Sequence, residues 1–79
     1  LAAALDAAEP AVPPDSPLGA AAADCEKMAR SYLDDGRHFR TADDPVNALA
    51  AFAYGHGWLD AGVRVGLFAV PDDVELFTV

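Results

Sequence analysis

His56 stands four residues before Asp60, which on a helix places a carboxylate one turn from an imidazole. A carboxylate at that spacing can orient the ring, and a histidine so held is the raw material of a general base or a metal ligand. Asp60 also precedes Arg64 by four, and that arrangement by itself makes only a helix ion pair. His56 interrupts an otherwise apolar arc between Phe52 and Leu59, so the residue types favour a buried, hydrogen-bonded structural histidine that binds no metal. A pocket built on His56 and Asp60 would need a second polar cluster, for which Tyr32 and the Asp34/Asp35 pair are the candidates.

The other chemistry-bearing residues are more scattered. Gly55-His56-Gly57 has the composition of a phosphate-binding loop but lacks the strand before it and falls inside a helix, where no free N-H groups point outward. Cys25, His38 and His56 lack metal-ligand spacing, and Cys25 reads as a small core residue. The expectation is therefore no catalytic, cofactor-binding or metal-binding residue. Tyr54 and Trp58 lie one turn apart on the side away from the main arc, with Val65 two turns further on. Aromatic side chains in such a position anchor partners, which makes these three the candidate partner-binding residues.

The elements that carry these residues follow from punctuation and period. Pro10, Pro13, Pro14 and Pro17 mark residues 9–16 as a linker without regular structure. Ser16-Pro17 is a helix start, an N-cap with proline at the first helical position, and Asp44-Pro45 repeats it. Leu18, Ala22, Cys25, Ala29, Tyr32, Gly36 and Phe39 recur at spacings of four and three, which predicts one helix over 17–42 with these residues as its seam. Its other face sets Glu26 before Arg30, Asp34 before His38 and Asp24 before Lys27, a solvated charged surface.

A second helix is predicted over 45–67, antiparallel to the first across the Thr41–Asp44 turn. Leu49, Phe52, His56, Leu59 and Val63 share its main arc, with Ala48, Gly55, Gly62 and Gly66 beside them. It is apolar nearly all round, which predicts cover on more than one side. Interior glycines cost about 1 kcal/mol each relative to alanine, so Gly55 and Gly62 are expected to face a neighbouring helix backbone at close range. Residues 1–8 read as the remaining end of a truncated first helix, and residues 68–79 as an extended tail, ending in Leu76-Phe77-Thr78-Val79, that lies on the bundle.

Composition sets the outer bounds. Seventy-nine residues make one small domain, and one cysteine allows no internal disulfide. The formal charge of −8 comes from 13 acids against 5 Lys and Arg, a balance resembling proteins of salt-loving cytoplasms. Arg30, Arg37, Arg40 and Arg64 form no basic stripe, and Asp34, Asp35, Asp43 and Asp44 oppose Arg37 and Arg40, which argues against a nucleic-acid partner. No run approaches the roughly 18 apolar residues of a membrane span, so a soluble cytoplasmic protein is expected.

The string Met28-Ala-Arg-Ser-Tyr-Leu-Asp-Asp-Gly-Arg-His-Phe39, the Asp43-Asp44 turn, Ala48-Leu49 and Tyr54-Gly-His-Gly-Trp-Leu-Asp-Ala-Gly62 resemble the archaeal domain-of-unknown-function family 357, small all-helical proteins, over about 16–67. The resemblance implies an all-α, up-and-down three-helix bundle of archaeal, and given the acidity haloarchaeal, origin. It carries no established activity, cofactor or catalytic residue. The expected function is that of a non-catalytic protein-interaction module whose partner is a second copy or another protein. The alternative is a small ligand binder or enzyme with a His56/Asp60 pocket.

Thirteen acids on so small a surface repel one another in dilute buffer, and salt screens that repulsion. Thermal melts from low to multimolar KCl should show a rising midpoint. An unchanged midpoint across the series removes the halophilic reading.

Overall fold

The structure, a computed structural model, describes residues 1–71. Helix α1 spans Ala2–Ala7, strand β1 Glu9–Pro10, helix α2 Pro17–Thr41, helix α3 Pro45–Arg64 and strand β2 Phe68–Ala69. The fold is thus mostly helical, as expected, with a small two-stranded sheet added to it. Helices α2 and α3 form an antiparallel hairpin: Gly36 meets Phe52 near the turn, while Ala29 and Tyr32 meet Gly55 further along. The short α1 packs against both.

The helix starts are built as the Ser-Pro and Asp-Pro pairs predict. Ser16 Oγ accepts a hydrogen bond from Gly19 N at 3.0 Å. Asp44 Oδ1 accepts from Asn47 N at 3.2 Å and its Oδ2 accepts from Asn47 Nδ2 at 2.7 Å. Both helix ends use one device. At the end of α2, Asp43 takes a left-handed φ of 59°, Asp43 N donates to Arg40 O and Asp44 N to Phe39 O. At the end of α3, Gly66 has φ 87°, Gly66 N donates to Val63 O and Leu67 N to Gly62 O. This paired bonding satisfies carbonyls that the helix leaves open and turns the chain sharply. It also corrects the expected helix over 45–67: Gly66 is the stop signal, not part of the arc.

That stop redirects Leu67 and Phe68 into the core, where both are buried. The Phe68 ring lies on Gly62 and its backbone pairs with Pro10, while Ala69 pairs with Glu9. Ala11 N donates to Leu67 O at 2.9 Å. The linker over 9–16 is therefore not wholly irregular. Proline density excludes a long ladder, but a two-residue pairing needs few N-H donors, and burial of Phe68 brings the strands together. Gly19 fits under the same linker, where a Cβ would strike the backbone of Pro13 and Pro14.

The core comprises Ala4, Leu5, Ala22, Ala29, Leu33, Leu59, Leu67 and Phe68, with Leu59 fully enclosed. The predicted seam of α2 holds at Ala22, Ala29 and Gly36 and shifts to Gly19 and Leu33 beside them, whereas the arc of α3 is displaced by about one residue. On α2 the buried residues are Gly19, Ala22, Ala29, Leu33 and Gly36, while Leu18 is exposed and Cys25, Tyr32 and Phe39 are half-buried. On α3 they are Ala48, Ala51, Gly55, Leu59 and Gly62, while Leu49 is 71% exposed. The physical reason is interhelical distance: the closest line of approach admits small side chains, and the larger residues flank it.

Close helix approach holds at Gly55, where a Cβ would lie 2.9 Å from Tyr32 Cβ and 3.2 Å from Ala29 O. Gly62 differs from expectation, since it accommodates the Phe68 ring and not a helix backbone. The tail residues Leu76 to Val79, expected to lie on the bundle, fall outside the described residues.

Gly55→Ala should destabilise the fold by about 1–2 kcal/mol, overpacking outweighing the gain in helix propensity. Chemical denaturation measures this directly. A variant more stable than the parent means that the hairpin has room the close-packing account does not allow.

Candidate functional site

Helix α3 carries both predicted sites on different sides. His56 Nδ1 lies 3.3 Å from Asp60 Oδ2, the i,i+4 contact expected from the sequence. A carboxylate only accepts, so a hydrogen bond there puts the proton on Nδ1. The two side chains retain 29% and 20% of their exposure, so His56 is mostly buried and has a hydrogen-bond partner, as expected, without being sealed in the core. A helix position beside the small-residue line is flanking, and flanking positions keep contact with solvent. Tyr32, one candidate for a converging cluster, stacks instead on Tyr54 with ring centroids 5.7 Å apart. Asp34 and Asp35 are exposed on α2. Among the described residues, no three His, Cys, Asp or Glu side chains gather as a metal-ion site would require.

The other side of α3 presents Tyr54 at 66%, Trp58 at 40% and Val65 at 73% exposure. Within the described residues of one chain that side of α3 is uncovered; of the expected covers, the tail and a second copy are not among them. Helix α1, one of the proposed covers, instead places the Leu1 side chain against Gly55 on the hairpin's inner side. Between the aromatic residues runs a concavity of about 310 Å³ lined by Ala53, Tyr54, Gly57, Trp58 and Ala61. Gly57 forms its floor, and a Cβ there would meet nothing within 4 Å.

A second concavity, of about 320 Å³, sits at the turn end of the hairpin. Leu1, Ala2, Leu33 and Phe52 give it apolar walls, and Arg37 and Arg40 stand at its rim. The Arg40 guanidinium lies 5.7 Å from the Phe52 ring centroid, within cation–π range. Sequence reasoning missed this arrangement because Leu33 lies off the predicted seam. The spacing of Arg37 and Arg40 was its one visible signal. Neither concavity has His56 or Asp60 in its wall.

Arg30 pairs with Glu26 at 3.0 Å on the exposed side of α2. No helix among the described residues is long and apolar enough to cross a membrane.

Cys25 is half-buried on α2, and its thiol pKa is raised, first by burial and then by the neighbouring Asp24 carboxylate. A raised pKa leaves less thiolate at a given pH, and thiolate is the reactive form. Alkylation by iodoacetamide near neutral pH should therefore be slower for Cys25 in the folded chain than after unfolding in urea. Equal rates in the two states would show that the fold does not shield the sulfur.

No curated protein and no solved structure matches this chain. A family model does match, over residues 1–68, and its description is protein of unknown function (DUF357). The matched span takes in α1 and the proline-rich segment 9–16, which the resemblance read from the motifs leaves outside the family pattern. With that span covering all three helices and reaching β2, the chain belongs to the DUF357 family of proteins of unknown function.

Proposed function

We propose that this protein is a non-catalytic interaction module of a salt-adapted archaeal cytoplasm, and that it associates with a second copy of itself through the outer face of α3. Gly57 is the observation that carries the reading. Interior glycine weakens a helix by about 1 kcal/mol relative to alanine, and intramolecular crowding accounts for Gly36, Gly55 and Gly62 but not for Gly57.

Gly57 lies between Ala53 and Ala61 at helical spacing, flanked by Tyr54 and Trp58. Tyr54 and Trp58 stand together on one side of this small-residue line, so another helix backbone can come close along it while the two rings pack against one of its sides. Two copies of α3 related by a two-fold axis meet this requirement mutually, since each supplies both line and rings. Val65 extends the apolar surface to the end of the helix.

Sedimentation at high salt should show a dimer, with Trp58→Glu shifting it to monomer. Gly57→Ala should weaken the dimer while stabilising the isolated helix hairpin by up to about 1 kcal/mol. A parent chain that stays monomeric at every concentration contradicts self-association.

A further inference from the structure

On the outer face of α3, Gly57 separates two unlike flanks. Each helical residue advances by about 100°, so Tyr54 and Trp58 stand roughly 60° and 100° to one side of Gly57, and Asp60 and His56 stand by the same amounts to the other. One flank is aromatic, and the other carries an imidazole with its carboxylate. His56 lies only about 1.5 Å along the helix axis from Gly57. Its Nδ1 meets Asp60 Oδ2 at 3.3 Å, which places the proton on Nδ1 and the basic lone pair on Nε2. A carboxylate holding Nδ1 in this way is what orients metal-binding histidines. Within one chain the described residues gather no three His, Cys, Asp or Glu side chains, so a single copy lacks the further ligands that an ion needs.

A second copy supplies them. When two α3 helices pack antiparallel along the line of Ala53, Gly57 and Ala61, the two-fold axis runs across the helices and keeps each flank on its own side. The aromatic rings of both copies then share one side, and the His56 and Asp60 of both copies share the other. A parallel pair would instead set the rings of each copy against the imidazole and carboxylate of the other, and would align the helix dipoles unfavourably. Because His56 adjoins Gly57, the two imidazoles differ in height by only about 3 Å where the helices cross at that glycine. We propose that the dimer binds one divalent transition-metal ion of the zinc class between its two His56 rings, each Asp60 orienting its own ring and solvent completing the coordination. The proposal rests on the self-association reading and departs from the metal-free histidine expected of one chain. Imidazole nitrogen suits zinc, nickel and copper ions, whereas magnesium and calcium take oxygen ligands. His56 keeps 29% of its side-chain exposure, so an ion can reach it. Two chains of formal charge −8 repel each other, and a cation bound between them offsets part of that repulsion.

The test is sedimentation of the chain at high salt in EDTA, in zinc and in magnesium. Zinc should tighten the dimer at least tenfold and magnesium should not. His56→Gln should remove the zinc effect and leave the dimer seen in EDTA unchanged, while the control His38→Gln should keep it. The melting temperature of each variant in EDTA checks that its fold is retained. Cobalt(II), followed by its visible absorption, should saturate at one ion per two chains. A dimer present in EDTA that zinc does not tighten would overturn the metal site and leave the self-association reading standing. A chain monomeric in EDTA and in zinc would overturn both. Saturation at one cobalt per chain, or a zinc effect that survives His56→Gln, would place the ion elsewhere and overturn the site.

Discussion

The hairpin depends on how closely α2 and α3 approach each other. Ala29 is wholly buried, and Gly55 opposite leaves no room for even a methyl group beside Tyr32 Cβ and the Ala29 carbonyl. Near the turn, Gly36 gives the same clearance to the Phe52 ring, and beyond the other end Gly62 gives it to Phe68. Each glycine weakens its own helix, so tertiary contact must offset the loss. The contact does so by letting dispersion and apolar burial act over the length of the hairpin in a core with few large side chains.

Chain reversal at both helix ends serves that contact. Asp44 is the last residue of the α2 stop through its backbone N-H and the cap of α3 through its side chain, so one residue joins the two elements. Gly66 does similar work at the end of α3, where its left-handed backbone sends Phe68 back onto Gly62. The pairing of β2 with β1 then ties the proline-rich segment to the hairpin. A two-residue sheet contributes little by itself, but it anchors the segment that joins α1 to α2.

Placing the smallest residues of α3 against α2 has a consequence for surface chemistry. The larger side chains are displaced to the flanks and the outer face, where Tyr54, Trp58 and Val65 remain exposed. His56 and Asp60 are also flanking residues, which explains a pair that is neither sealed in the core nor fully solvated. The two concavities lie on separate parts of the hairpin and differ in kind, one aromatic and lined by small residues, the other apolar with a cationic rim.

The local rules were legible in the residues themselves. Ser16-Pro17 and Asp44-Pro45 define helix starts because capping and the fixed φ of proline act within three or four residues. The same is true of the His56/Asp60 contact and the Glu26/Arg30 pair, both set by helical spacing. The rotation of α3 about its axis was not legible, because a helix this apolar has no strongly preferred inward side. Interhelical clearance selected the line through Ala48, Ala51, Gly55, Leu59 and Gly62, and so sent Leu49 outward and His56 to the flank. The function of Gly66 as a stop, the burial of Phe68 and the meeting of Arg40 with Phe52 likewise depend on contacts between distant segments. Sequence determined where the helices begin and which side chains pair along them, since those interactions are local. Tertiary packing alone decided which faces are buried, since that depends on how near two backbones can come.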